Sequence, residues 1–231
     1  MTSSRSTAIV LALMAACAGV VDLWAVTSLG GAFAGVVTGN LVTVGRALGL
    51  LDVRDLVAPA VAVVGFAVGV GVWSFARRRR APVLVLLASE LVLLVALAVA
   101  WPLDAPAPVL LAVASIAMGG QSSIALDLGE STTYLTGTLT GAVAALVVDG
   151  RGRWSAVRQL GALVLGATTA AALLGTVPWA VPLLAAVPLA AAVLVRVLGE
   201  KRQDHQERDG DDRGTGDGTE EGPEEGEALR T

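Results

Sequence analysis

The sequence contains a series of apolar runs that are each long enough to cross a lipid bilayer. A helix needs about 20 apolar residues to span a hydrocarbon core about 30 Å thick. Residues 8–29, 56–76, 81–101 and 108–126 satisfy this requirement. A further run over 159–195 is too long for one helix, and Pro178 and Pro182 divide it into two. The sequence therefore predicts an all-α membrane protein with six transmembrane helices.

Charged residues are distributed unevenly along the chain. Apolar residues make up 55% of the 231 residues and only 16% are charged, far from the usage of soluble domains. Residues 1–199 carry 11 Lys and Arg against 8 Asp and Glu, whereas residues 200–231 carry 5 against 12. Residues 200–231 are so polar that folding would bury too little apolar surface to offset the entropy lost on ordering the chain. We therefore predict an integral membrane domain over 1–199 and a disordered acidic cytoplasmic tail over 200–231.

Two shorter segments rich in Gly and Thr, 32–48 and 132–148, follow the first long run of each half. Cytoplasmic loops collect Lys and Arg. If both segments re-enter the membrane without crossing it, the N-terminus, the tail and the arginine clusters at 77–80 and 151–158 are all cytoplasmic. If both segments cross, either orientation of the protein places a major arginine cluster outside the cytoplasm. The arginines therefore favour six spans plus two short re-entrant or broken helices, although 17 helical residues reach about 25 Å and leave eight spans as the alternative.

Similar polar motifs occur in the two halves of the membrane domain. The first half contains Gly19-Val-Val-Asp22 and then Thr38-Gly39-Asn40; the second contains Gly119-Gly-Gln121 and then Thr136-Gly137-Thr138. This predicts two internal repeats, about 8–101 and about 105–198. Three crossings per repeat invert the second copy, which gives two inverted 3+3 repeats with Asp22 equivalent to Gln121.

Glycines are frequent in the long run that follows each short segment. They are Gly65, Gly69 and Gly71 in the first half and Gly161, Gly166 and Gly175 in the second. Small residues allow helix backbones to approach closely in membranes. We expect close helix packing at these positions.

Two acidic residues, Asp22 and Glu90, lie inside predicted spans. A charged side chain at the bilayer centre costs about 2.5 to 3.5 kcal/mol on insertion scales, and intramembrane acids are functional candidates by default. Each acid should be neutralised by protonation, by pairing or by a hydrated cavity. Asp22 is the first candidate for a proton site, because Gln121, its equivalent in the second repeat, is polar too. Alternatively, Asp22 caps a broken helix near Gly19 and satisfies backbone N–H groups.

The Thr-Gly motifs supply polar groups without charge. Thr38, Asn40, Thr136 and Thr138 carry hydroxyl or amide groups, and Gly39 and Gly137 allow tight turns. Ends of half-helices near the midplane could present these groups to a solute. Interhelical hydrogen bonding explains them equally well. Residues 127–130, before the second motif, are expected to form a solvated loop.

Several of these motifs together resemble the YoaK-like family of bacterial multi-pass membrane proteins. They are Gly19-Val-Val-Asp22, Phe33-Ala-Gly-Val-Val-Thr-Gly-Asn40, Ala117-Met-Gly-Gly-Gln121 and Thr133-Tyr-Leu-Thr-Gly-Thr-Leu-Thr140. The resemblance covers residues 8–198 and includes a glutamate at position 90. It implies a location in the bacterial inner membrane, and the family is a domain of unknown function. The basic residue that the family usually carries after the Gln is absent from residues 122–127 of this chain.

Two functions from different classes are consistent with the sequence. The first is a transporter or channel for a small solute, which could be proton-coupled, with Asp22, Gln121, Glu90 and the Thr-Gly motifs as pathway candidates. The second is a non-transporting scaffold or sensor whose buried polar residues only lock helix packing. We do not expect an enzyme, a cofactor, a metal site or nucleic-acid binding, because no paired nucleophile and base, phosphate-binding loop or metal-ligand spacing is present. The expected partners are the bilayer, a small solute and, as a further option, a second copy of the chain.

Overall fold

The computed structural model describes the backbone of residues 2–129, 135–150 and 152–214, and the side chains of 5–129, 135–150 and 152–201. Within these ranges the chain is all-helical and contains no strand. Its eight helices are α1 (Thr2–Ser28), α2 (Val37–Gly49), α3 (Val53–Arg78), α4 (Val83–Ala100), α5 (Ala107–Asp127), α6 (Leu135–Asp149), α7 (Trp154–Leu174) and α8 (Val181–Gly214). One-turn 3₁₀ helices at Trp101–Leu103 and Pro178–Ala180 follow α4 and precede α8.

Six of these helices are long and apolar enough to cross a membrane. They correspond to the six predicted runs, and the division of residues 159–195 at Pro178 is confirmed by the break between α7 and α8. The helices α2 and α6 contain 13 and 15 residues. At 1.5 Å per residue they are about 20 and 22 Å long, well short of a hydrocarbon core of about 30 Å.

The last helix extends further than the sequence predicted. We expected disorder from residue 200, but the backbone of α8 is helical as far as Gly214. Residues 200–208 are mostly Glu, Lys, Arg and Gln, which have high helix propensity, so a helix already anchored in the membrane can continue through them. Residues 215–231 of the predicted tail lie outside the described part of the chain.

Helices α3 and α5 cross at two glycines. A Cβ added at Gly69 would meet the backbone carbonyl of Ile116, and one added at Gly119 would meet the backbone carbonyl of Phe66. The two backbones are therefore in direct contact, which only glycine permits. The order of contacts along both helices, from Gly65 at one end to Arg77 at the other, shows that α3 and α5 run parallel.

Helices α1 and α7 cross in the same way. A Cβ added at Gly19 would meet the backbone carbonyl of Leu163, and one added at Gly166 would meet that of Ala16. Of the other glycines expected at close contacts, Gly65 approaches α5, whereas Gly71 and Gly161 face open space. Gly175 approaches only its own helix, at Ala172. Close packing is thus confirmed at three of the six predicted glycines.

The segment that contains α2 begins and ends at one end of the helix bundle. Gly30, just after α1, lies against the side chain of Ala58, in the first turns of α3. The Trp24 and Trp101 rings, near the ends of α1 and α4, pack edge to face with centroids 5.5 Å apart. At this end the Trp101 Nε1–H also donates to the carbonyl of Pro178.

The segment that contains α6 begins and ends at the opposite end of the bundle. Arg5 at the start of α1, Leu128 after α5, and Ser155 and Arg158 in α7 all line one groove. The end of α3 lies there too, because Arg77 forms an ion pair with Asp127 at the end of α5. We call this the basic end, for Arg5, Arg158 and the cluster at 77–80. The two short helices therefore adjoin opposite ends of α1.

Candidate functional site

Asp22 connects α1 to the loop that precedes α2. Its Oδ1 accepts a hydrogen bond of 2.6 Å from the Gly35 N–H, and the side chain is partly buried. Gly35 lies so close that an added Cβ would be 3.3 Å from the carboxylate and 3.5 Å from Met118 Cβ. The helix α1 is continuous past Gly19, so the idea that Asp22 caps a break there is wrong. The carboxylate does, however, satisfy a backbone donor.

Asn40 holds the same loop from the other side. Its Oδ1 accepts from the Phe33 N–H at 3.0 Å, and its Nδ2 donates to the Phe33 carbonyl at 2.6 Å. Asn40 is buried, a Cβ added at Gly39 would lie 3.7 Å from the Phe33 ring, and Thr38 is exposed. We call Asp22, Phe33, Gly35 and Asn40 the loop clamp.

Glu90 lies on the buried face of α4 and is fully buried. Leu86, Leu87, Leu94 and Leu97 form the rest of that face. Neither carboxylate oxygen of Glu90 has a hydrogen-bond partner among the described residues. Glu90 is therefore an acid within a membrane-length helix, as expected, and hydrocarbon side chains flank its carboxyl group on that helix.

Gln121 connects α5 to α1 in the core. Its Nε2 donates to the Met14 carbonyl at 2.6 Å, while its Oε1 has no partner among the described residues. Trp73 lies between this region and α4, because its ring packs on Gly120 and its Nε1–H donates to the Leu86 carbonyl at 3.3 Å. Leu86 is one helical turn from Glu90, so Gln121 and Glu90 lie at neighbouring levels of the bundle.

The second Thr-Gly motif lies apart from these groups. Thr136 and Gly137 are exposed on α6, Thr138 is half-buried, and a Cβ at Gly137 would meet nothing. The structure therefore does not bring the two Thr-Gly motifs together around one pathway. Residues 130–134, which precede this helix and include Tyr134, lie outside the described residues.

The helix crossings give a second way to align the two halves, which differs from the alignment of the sequence motifs. Gly19 and Gly119 occupy the same place in their two crossings. Counting three residues on from each glycine matches Asp22 to Ser122, whereas Gln121 matches Val21. The sequence comparison aligned polar residues by type and missed this shift of one position.

Two polar features, one in the core and one at the basic end, were not predicted from the sequence. Ser115 Oγ is buried without a partner among the described residues; a serine in an apolar run gives no signal of this. At the basic end, Arg77 pairs with Asp127 and donates from Nη1 to the Ser123 carbonyl at 3.1 Å. Asp127 is exposed, as expected, but it is the last residue of α5 and pairs with Arg77, so the expected loop begins only after it.

Within the described ranges, no group of three or more His, Cys, Asp or Glu side chains could share a metal ion. The candidate residues supply carboxyl, amide and hydroxyl groups. The carboxyl groups can gain or lose a proton, and all three kinds of group can form hydrogen bonds.

A protein-family model described as a protein of unknown function, DUF1275, matches residues 10–195. The chain belongs to the DUF1275 family. The DUF1275 match extends from α1 into α8 and includes every candidate residue described above. No curated protein and no solved structure matches the chain.

Proposed function

We propose that this DUF1275 protein, of the YoaK-like type, moves a small solute across the bacterial inner membrane, coupled to proton binding at Glu90. The observation that carries the proposal is the fully buried Glu90 carboxyl without a partner among the described residues. An ionised, unpaired carboxylate in an apolar interior is strongly unfavourable. Glu90 is therefore a neutral acid in this conformation, and it can lose its proton only when the helices around it rearrange.

Glu90 suits this role better than Asp22 does. Asp22 was the first candidate from the sequence, but its carboxylate already accepts a short hydrogen bond from Gly35. A group committed to one loop conformation is a structural support. A group with no committed partner can gain and lose a proton as its surroundings change.

The packing of the helices supports an inverted arrangement of two repeats. The α3–α5 and α1–α7 crossings use glycines in the same way, and the short helices adjoin opposite ends of α1. Inverted repeats are common in secondary transporters, which alternate access by moving one part against the other. In our proposal the basic end, the N-terminus and the tail are cytoplasmic, because arginines accumulate on that side.

Flux measurements in proteoliposomes test the proposal. Purified protein is reconstituted with a trapped pH-sensitive dye, a pH gradient is imposed, and a panel of small solutes is added outside. We expect one or more solutes to cause protein-dependent proton movement, which Glu90→Gln abolishes. Asp22→Asn is the matched control, because it alters an acid of the same domain and should retain flux while lowering stability. Size-exclusion profiles establish that each variant is folded.

A second candidate function is a membrane scaffold or sensor that transports nothing. The loop clamp and the Gln121 bond to Met14 favour it, because these polar groups are used for backbone contacts. If no solute or pH gradient produces movement, and Glu90→Gln changes only stability, the transport proposal is wrong and the scaffold is preferred. In both cases we infer a protein that is not an enzyme, uses no cofactor and binds no nucleic acid, and a homo-oligomer is compatible with either.

A further inference from the structure

We propose that a groove at the basic end binds the headgroup of an anionic phospholipid. The groove has a volume of about 740 Å³ and lies between the start of α1, the end of α5 and the start of α7. Its lining residues are Arg5, Thr7, Ala8, Ile9, Leu11, Leu128, Ser155 and Arg158. This inference does not depend on the transport proposal.

The charges that line the groove favour an anion. Among its described lining residues, Arg5 and Arg158 are charged and no Asp or Glu occurs. The nearest acid along α5, Asp127, is already paired with Arg77. Arginine binds phosphate oxygens with paired, charge-assisted hydrogen bonds. In our proposal one phosphate group contacts both arginines, which belong to different helices and line the same groove.

The apolar part of the groove favours a lipid over a free ion. Ala8, Ile9, Leu11 and Leu128 line it together with the arginines. An inorganic phosphate would leave these side chains without a partner. A phospholipid places its phosphate on the arginines and its glycerol and first acyl methylenes on the hydrocarbon wall, which buries apolar surface on both molecules.

The position of the groove fits the level of lipid headgroups. Arg5 is in the first turn of α1, which begins at Thr2, and Arg158 is in the second turn of α7, which begins at Trp154; both helices are long enough to cross a membrane. Basic residues at helix ends on the cytoplasmic side attract anionic lipids. The groove adds a defined shape to this general attraction, and so we expect discrimination between headgroups.

Native mass spectrometry of the full-length protein tests the inference. Delipidated protein is titrated with phosphatidylglycerol, with phosphatidylethanolamine of the same acyl chains, and with inorganic phosphate. We expect preferential binding of one phosphatidylglycerol and an increase in thermal stability that inorganic phosphate does not reproduce. Arg5→Gln combined with Arg158→Gln should weaken this binding by about tenfold or more, because both charge-assisted contacts are lost.

The matched control is Arg54→Gln combined with Arg78→Gln. Both of these arginines are exposed, neither lines the groove, and the double variant removes the same net charge. Retained phosphatidylglycerol binding in this control supports the groove. Equal loss in both double variants would mean diffuse attraction, and unchanged binding in the groove variant would place the lipid elsewhere. Equal stabilisation by inorganic phosphate would indicate an ion site. Any of these three results overturns the inference.

Discussion

The two short helices are held very differently. Asn40 and Ala47 of α2 are buried, the helix packs on α3, and the loop clamp binds the chain just before it. By contrast, no described residue of α6 is buried, and its main neighbour is α7. The difference shows that similar motifs, Thr-Gly-Asn and Thr-Gly-Thr, need not have the same structural role.

The chemistry of one side chain explains much of this contrast. The Asn40 amide has a donor and an acceptor far enough apart to bind both the N–H and the carbonyl of Phe33. Thr138 stands at the corresponding place in α6, and its hydroxyl has a single oxygen on a shorter stem. Likewise Ser122 stands where the first half has Asp22. Among the described residues, α6 therefore has a threonine and no asparagine at its Thr-Gly motif, and the side-chain bonds that hold α2 depend on Asp22 and Asn40.

We expect the largest effect at the two glycine crossings. Substitutions there test whether the α3–α5 and α1–α7 contacts depend equally on close backbone packing. Gly69→Ala and Gly166→Ala each push a methyl group into a partner backbone. Overpacking of this kind costs about 3 kcal/mol or more where backbone cannot move aside. We expect both variants to lose most of their folded yield in detergent, as measured by size-exclusion chromatography.

Gly71→Ala and Gly161→Ala are the controls for this prediction, since both glycines face open space in the same two helices. They should fold like the parent protein. If the alanine substitution reduces folding at only one crossing, the two halves differ in the packing of their long helices as well as in their short helices.

A smaller effect is expected from breaking the loop clamp. Asn40→Ala leaves the Phe33 N–H and carbonyl without their partner, which costs about 1 to 3 kcal/mol for a buried polar group. Thr138→Ala should stay within about 0.5 kcal/mol. Thermal unfolding followed by tryptophan fluorescence measures both. Equal destabilisation by the two variants would show that α6 is held by its motif as α2 is.

The smallest effect needs no mutation. Amides in weakly packed elements exchange with solvent faster because they open at lower free-energy cost. In detergent, we expect peptides from α6 to exchange deuterium about tenfold faster than peptides from α2. Exchange at equal rates would mean that the contrast in packing has no counterpart in local stability.

Much of the fold could be predicted from the sequence, because the bilayer fixes the length and polarity of each span. The six long helices, the break at Pro178 and the burial of Glu90 follow from uncharged runs and a single acid within one of them. The shortness of α2 and α6 follows from the same reasoning.

The partners of the polar residues could not be predicted. Which backbone group meets Asp22 depends on how the loop folds back, and the Arg77–Asp127 pair joins helices that are distant in sequence. The sequence motifs also contained no information on helix register, so they paired Asp22 with Gln121, whereas an alignment on the glycine crossings pairs it with Ser122. The extent of α8 was missed because composition alone does not reveal a helix that continues from the membrane.

Thiol labelling tests whether the two short helices enter from opposite faces of the membrane. In a Cys17→Ala background, a single cysteine replaces either Val53 or Gly152. Val53 is the first residue of α3 and is 70% exposed, and Gly152 faces open space just before α7. Intact cells are treated with a membrane-impermeant maleimide, before and after permeabilisation. We predict that Val53→Cys is labelled in intact cells and Gly152→Cys only after permeabilisation. Labelling of both from the same side would contradict the inverted arrangement.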